Sequence, residues 1–425
     1  MEPLWSVGEA RRVEWGETVL SGTLIVIGGG QAAVSLIGKL RELGDSRPIT
    51  LISEEAVPPY QRPPLSKKYL LGEIDLARLL IRPERWYGEH DVTLRLGERV
   101  ERIDRDGGCV VLSGGESLAY ESLALTTGST PRSLPAAIGG DLAGVFTVRS
   151  LEDVDAMVRD FAPGWSVLVV GGGYIGLEAA AVAAKLGLRV TVLEMADRIL
   201  QRVAAPATSD YFRALHQANG VEIRESTALD SLVGEQGRVT GARLAGGEVV
   251  EADFVVVGIG IRPNDQLAEA AGLAVDDGIL VDAGCRTSDP AIVAAGDCAR
   301  FPLNDGLGRL ESVQNAVDQG EAAAEALAGA DVDYRPAPWF WSDQFDVKLQ
   351  IAGLNTGYET TVTRPGKRDG ALSVWYYKGD ELLAVDAMND GATYMIASRL
   401  LKAGQSPSPD RIADADLNLK TLLAR

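Results

Sequence analysis

The chain has 425 residues, of which 46% are hydrophobic and 24% charged, and its 60 acidic against 41 basic side chains give a formal net charge of −19. That length accommodates two or three domains with separate cores. The acidic balance speaks against nucleic acid or an anionic membrane as general partners, since both call for a basic face.

Residues 1–22 precede the first periodic element and read as a strand, a docking arm or an unstructured extension. Their carboxylates, Glu2, Glu9, Glu14 and Glu17, interrupt any apolar core, so they are no signal peptide. The apolar run Leu24–Ile27 then reads as a strand buried on both faces. It meets the pattern G-x-G-x-x-A, with Gly28 for the tight turn, Gly30 for close backbone approach and Ala33 where helix packs on strand. A helix follows, whose N-terminus offers free N–H groups and partial positive charge to a pyrophosphate. The next strand, over 49–52, ends near an acid, Glu54 or Glu55. Residues 56–71, AVPPYQRPPLSKKYLL, read as a stiff extended loop leading to a short helix from Ser66, either a rigid connector or a loop held against a cofactor with Arg62 and Lys67 turned inward.

A helix end and the strand Val92–Leu96 come next, then short strands over 100–103 and 109–112 and a buried strand over 122–127, closed by Gly128 and Arg132. A helix over 148–159 leads into a second copy of the opening device. There Gly171, Gly173 and Gly176 complete G-x-G-x-x-G, and a strand over 189–193 ends in Glu194 at the distance suited to a ribose 2′-OH. Further strands over 221–224, 232–233, 239–244 and 254–257 end in GIGIRPN (258–264), which echoes TTGSTPR (126–132). Strands over 278–281 and 292–294 place Asp297 at the carboxyl end of a sheet, where open α/β folds bind ligands, and a helix over 313–327 follows. After Pro336 and Pro338 the composition shifts to alternating strands, with helical patterns over 393–401 and 414–423. The fold class is α/β: two Rossmann-like dinucleotide-binding domains and a C-terminal α+β domain with an antiparallel sheet. The expected boundaries are 1–22 extension, 23–147 first domain, 148–263 second domain, 264–335 return to the first, and 336–425 C-terminal domain.

GGGQAA, YQRPPLSK, TTGSTPR, GGGYIGLE, VGIGIRPN, AAGDCARF, ESVQNAVDQG and PWFWSDQ, in this order, resemble the FAD-dependent, NADH-using ferredoxin reductases. These are the putidaredoxin-reductase-like components of bacterial cytochrome P450 and Rieske oxygenase systems, with a glutathione-reductase-like fold. The resemblance implies that FAD is held by Gly28, Gly30, Gln31, Ala32, Glu54, Arg62, Lys67, Val100, Thr127, Gly128, Arg132, Gly296, Asp297, Val313 and Trp341. It implies NADH binding by Gly171, Gly173, Tyr174, Ile175, Glu178, Glu194, Arg202, Gly258 and Gly260, with Arg198 also near the adenine end. Lys67 and Glu178 are the candidate catalytic pair, polarising the flavin, with an inter-domain salt bridge as the bland alternative.

The implied reaction passes electrons from NADH through FAD to a [2Fe-2S] ferredoxin. Because the chain is itself acidic, an acidic ferredoxin calls for a local basic island, read here as Arg309, Lys348, Arg399 and Lys402. Related readings are an NADH oxidase, a rubredoxin reductase or a disulfide or peroxide reductase, and an NADH-responsive binding flavoprotein like apoptosis-inducing factor. Residues 56–71 lack the cysteine a disulfide or peroxide reductase carries there, and the net charge opposes nucleic-acid binding. The three cysteines, Cys109, Cys285 and Cys298, are far apart, and His90 and His216 read as surface helix residues, so no metal site is expected. No apolar run reaches membrane-span length, and the protein is read as cytoplasmic, monomeric or homodimeric.

Overall fold

The computed structural model describes residues 22–304 and 306–423; the N-terminal extension read above lies outside the described residues apart from Gly22. Strand β1 (Leu24–Ile27) is buried at every position, and helix α1 (Gln31–Glu42) returns the chain to β2 (Ile49–Ser53), parallel to it. A strand covered on both faces shows no polar alternation, which is why a bare apolar run marks it. The first sheet has five parallel strands in the order Ile292–Ala294, Ser122–Leu125, β1, β2, Val92–Leu96. Its outermost strand, Ile292–Ala294, thus comes from beyond the second glycine unit in sequence.

That second unit repeats the plan with β3 (Ser166–Val170), α2 (Tyr174–Lys185) and β4 (Arg189–Leu193). Helix α3 (Pro206–Ala218) and α2 pack on one face of its sheet, and the antiparallel meander 229–251 packs on the other. The two echoing loops meet: Ser129–Pro131 pairs antiparallel with Ile261–Pro263. Thr127 Oγ1 donates to the Asn264 carbonyl at 2.6 Å, and Asn264 Nδ2 donates to the Thr127 carbonyl at 2.9 Å. Entry to and exit from the second unit are therefore bonded to each other. Helix α4 (Val313–Leu327) then lies against α1, and the contact needs Gly320, where a Cβ would stand 2.5 Å from the Ala32 carbonyl oxygen.

The C-terminal domain begins with β5 (Trp339–Gln344), the edge of a five-stranded antiparallel sheet, covered by helix Gly391–Lys402. Several expectations are corrected. The helix expected over 148–159 spans Leu151–Met157, because Ser150 and Asp153 close a capping box and fix its start. The strand expected to reach Thr127 stops at Leu125, since Thr126 Oγ1 turns back to the carbonyls of Ile27 and Gly28, both at 3.0 Å. The helix expected over 414–423 is a short helix Pro409–Ala413 and a turn Leu419–Leu423. Between them Arg364 draws the carbonyls of Ala415 and Leu417 onto its guanidinium, at 3.0 and 2.6 Å, and they cannot serve a helix. His216, expected on the surface, is fully buried on α3. His90 instead follows helix Glu84–Glu89, its ring stacked on Trp86.

The C-terminal sheet grips α3 through a buried carboxyl. Asp386 accepts from Thr208 Oγ1 at 2.7 Å and from the Tyr376 hydroxyl, which itself accepts from the Ala205 amide at 2.9 Å. Burial pushes Asp386 up to about 6 against the pull of both hydroxyls. Because the folded chain holds this proton more tightly than the unfolded one, the contribution is complete below the unfolded pKa, about 3.9. It is then lost as pH rises to about 6. Asp386→Asn keeps an acceptor and removes the titration. Thermal melts across this window should show a wild-type Tm falling relative to the variant as pH rises, with the gap constant above it.

Candidate active site

Both glycine turns are built alike. Gly28 has φ +105° and Gly171 φ +109°, and a Cβ there would strike the Thr126 and Gly258 carbonyl oxygens at 2.3 and 2.4 Å. Gly30 and Gly173 differ: nothing lies within 4 Å of where their Cβ would be. Each precedes a helix start without a side-chain cap, so the first-turn N–H groups are open to a ligand. Bare donors beside reserved space fit the pyrophosphate of a dinucleotide, and they occur twice. Gly30 and Gly173 line one shared cleft of about 380 Å³.

The two copies diverge at the acid. Ile27 pairs with Ile52 as Val170 pairs with Leu193, so Ser53 holds the register position of Glu194. Glu194 accepts from the Gly172 amide at 2.7 Å and the Ala196 amide at 2.8 Å, which aims its carboxylate beside the glycine turn. In the first copy Glu55 is committed to Arg62, at 2.5 Å, and to the Tyr60 hydroxyl. Glu54 is exposed and, among the described residues, pairs with Arg99 at 3.1 Å. Arg198 is tied to Ser209 Oγ at 2.5 Å and to the Gln201 carbonyl, whereas Arg202 lines the cleft.

Between the two loops stands an ion pair. The Tyr69 amide reaches back five residues to the Pro64 carbonyl, which makes Leu65–Tyr69 a wide helical turn rather than the ordinary helix expected from Ser66. That turn presents Lys67, whose Nζ lies 2.9 Å from Glu178 Oε1 on α2. Glu178 also accepts from Ser66 Oγ at 2.9 Å and Ser342 Oγ at 2.7 Å. Burial pushes the Glu178 carboxyl up, and the Lys67 ammonium and the two hydroxyls oppose that. Lys67, Glu178, Gly296, Asp297, Val313 and Trp341 all line the cleft.

Sequence reasoning missed Arg149 and Gln319. Arg149 pairs with Asp297 at 3.2 Å and lines the cleft, and Asp297 also accepts from Ser129 Oγ at 2.8 Å. Gln319 Oε1 accepts from the Gly296 amide at 2.8 Å, while its Nε2 is buried without a partner. Arg149 lies in no motif, and although Gln319 sits within ESVQNAVDQG, nothing in that motif shows that its side chain turns to the Gly296 amide. Arg132 is exposed at the crossing between the units, its Nε donating to the Ile261 carbonyl at 3.2 Å. Val100 is buried at the start of a separate small sheet, and Thr127 faces Asn264. Gln31, Ala32, Arg62, Gly128, Tyr174, Ile175, Gly258 and Gly260 all border the cleft. Trp341 faces Trp339 with ring centres 5.4 Å apart, and Tyr394 follows at 6.4 Å from Trp339.

The expected basic island is corrected at one member. The Arg309 side chain is 10% exposed and bound by Glu311 at 3.0 Å, Asp277 at 3.3 Å and the Asp297 carbonyl at 3.1 Å. It holds the Asp297 turn and is no free surface cation. Lys348, Arg399 and Lys402 are exposed on the C-terminal domain. Cys285 and Cys298 are buried, their thiols pushed up by burial, to about 12 for Cys285. Among the described residues no helix is long and apolar enough to cross a membrane.

The family model described as pyridine nucleotide-disulphide oxidoreductase matches residues 22–320, and one described as reductase C-terminal matches 339–423. The chain is 42% identical to rhodocoxin reductase of Rhodococcus erythropolis over 405 residues, 95% of each chain. It is 41% identical over 409 residues to the anthranilate 1,2-dioxygenase system ferredoxin–NAD(+) reductase component of Burkholderia cepacia, covering 94% of this chain and 98% of that one. Among solved structures, the covalent putidaredoxin reductase–putidaredoxin complex superimposes with a TM-score of 0.91 at 38% identity, covering 95% of this chain and 98% of that one.

The second glycine turn makes a paired prediction. Gly173→Ala adds a methyl to open space, so the variant should keep its Tm while its Kd for the second nucleotide rises about tenfold. Gly176→Ala puts a Cβ 2.1 Å from the Gly171 carbonyl oxygen and should cost stability, about 1–3 kcal/mol by denaturant titration.

Proposed function

The chain belongs to the pyridine nucleotide-disulphide oxidoreductase family, and on that premise we propose that it passes electrons from NADH through FAD to a [2Fe-2S] ferredoxin serving a cytochrome P450 or Rieske-type oxygenase. The observation that carries this reading is that both glycine loops open onto one cleft with the Lys67–Glu178 pair between them. A relative named as the ferredoxin–NAD(+) reductase component of a dioxygenase system and a solved putidaredoxin reductase–putidaredoxin complex, both matched over nearly their whole length, support the choice of acceptor. When bound, FAD supplies hydride acceptance from a nicotinamide and electron release to a one-electron partner.

The protein's own part is binding, orientation and charge. In this reading the first domain, 23–147 with 264–335, holds FAD: the Gly28–Gly30 turn and α1 take its pyrophosphate, Glu54 its adenosine ribose, and Asp297, paired with Arg149 from the start of the second domain, the far side. The second domain, 148–263, holds NADH on the Gly171–Gly173 turn and α2. Glu194, steered by two amides, accepts from the ribose hydroxyls and repels a 2′-phosphate. Arg198 is held by Ser209 and Arg202 lines the cleft, so the preference for NADH over NADPH rests on Glu194.

Lys67 places an ammonium at the cleft where negative charge grows on reduction, in a site where the low dielectric magnifies the attraction. Val313 brings the start of α4, whose partial positive charge acts in the same sense. Trp341, Trp339 and Tyr394 run from the cleft across the C-terminal domain, and we assign ferredoxin docking to that side, with Lys348, Arg399 and Lys402 as its cations. In this reading the protein works in the cytoplasm, where its electron donor is NADH.

Anaerobic titration of the FAD-loaded protein with NADH should bleach the flavin band at one equivalent, and a panel of acceptors should show transfer to [2Fe-2S] ferredoxins. Transfer to rubredoxins alone, or to disulfides, would overturn the acceptor. Lys67→Met should slow single-turnover reduction by NADH about tenfold or more. An unchanged rate would leave the pair a purely structural inter-domain contact.

A further inference from the structure

Glu178 is the end of a longer buried chain that the reading above does not use. Ser342, on β5, donates to Glu178 Oε1 at 2.7 Å, and Gln344 Nε2 donates to Ser342 Oγ at 3.1 Å. Gln344 Oε1 is then left as acceptor for His216 Nε2 at 2.8 Å. Ser342, Gln344 and His216 are all 0% exposed. Each link has one consistent donor, so every hydrogen points the same way, from the imidazole toward the carboxylate. Facing the Gln344 oxygen, Nε2 is the protonated nitrogen; burial favours the neutral ring, and Nδ1 is buried with no partner among the described residues.

The scaffold is built to keep this order. The hairpin after β5 turns through Phe345 at φ +55°, a left-handed conformation a bulky residue adopts only when its surroundings impose it. There its ring meets the His216 ring edge to face, 5.0 Å between centres, and its carbonyl accepts from Lys185 Nζ at 2.9 Å at the end of α2. The chain spans the second domain, the C-terminal domain and the turn carrying Lys67.

We infer that His216 is a positioning residue for reduction at the cleft, acting through Gln344 and Ser342 on the Glu178–Lys67 pair. The inference rests on the oxidoreductase reading. A glutamine amide at this place has two orientations, and the imidazole N–H on one side and the Ser342 oxygen on the other select the same one. Without the imidazole donor the amide is held by Ser342 alone, and in the turned orientation its oxygen competes with Glu178 for the Ser342 hydroxyl. The carboxylate loses a donor, and the ammonium it holds loses its fixed place.

The test combines structure and rate in the FAD-loaded protein. With only two histidines in the chain, ¹⁵N spectra compared with those of a His90→Gln variant isolate the His216 signals. The neutral Nε2–H tautomer is expected; an Nδ1–H tautomer or an imidazolium would overturn the inference. In stopped-flow reduction at saturating NADH, His216→Leu should be slower by about tenfold with the NADH Kd within about twofold. His216→Gln, which restores a donor N–H, should recover most of the rate. Ser342→Ala should match His216→Leu, and the double variant should be no slower than either, because all act through one chain. Additive losses, or an unchanged rate in His216→Leu, would overturn it. Should the leucine variant not fold, Gln344→Met breaks the same chain and must slow reduction likewise. A wild type that NADH fails to reduce would overturn the oxidoreductase reading itself, an outcome the variants leave distinct.

Discussion

The constraint on which the molecule turns is the burial of one carboxylate. Glu178 has 6% side-chain exposure, and a charge so placed is tolerable only if its lone pairs are met by cations and donors in good geometry. No neighbour on its own helix meets them. The ammonium and one hydroxyl come from the turn Leu65–Tyr69 of the first domain, and the other hydroxyl from β5 of the third. Satisfying one group therefore fixes how three domains sit around one cleft. An apolar contact of equal area would tolerate sliding; a carboxylate with three directional partners does not.

What the sequence reveals follows the same division between local and distant causes. The glycine turns are legible because each small residue answers a steric demand within its own strand–turn–helix unit. Strand β1 and helix α4 are legible for a similar reason, their periodicity being local. Arg309 reads as a free cation even though Glu311 stands two residues on, because the partners that complete its burial, Asp277 and the Asp297 carbonyl, are distant in the chain. His216 was misjudged likewise, since its acceptor, Gln344, arrives from another domain. The last helix fails where Arg364, in a distant strand, captures carbonyls that local propensity assigned to helical bonds. Arg149 stayed hidden because nothing in its flanking residues announces Asp297.

The two copies of the nucleotide unit show how far one plan bends. Their strands share register, yet the first places a buried serine beside its glycine turn and moves the acid one residue outward. The second keeps the acid in register, wired to the turn by backbone amides. A carboxylate so wired is held rigidly, which suits discrimination between nucleotides that come and go. The first unit's acid, Glu54, stands instead at an exposed edge beside Arg99, without that backbone steering.

The ladder between Ser129–Pro131 and Ile261–Pro263 has a consequence for ancestry and engineering. Because the second unit leaves and rejoins its host at one spot, its two ends are neighbours, and the host sheet closes without it. Such a cassette can be swapped for another of the same plan without rethreading the parent. Nucleotide preference can therefore be exchanged as a module, provided the newcomer presents a carboxylate to the waiting lysine.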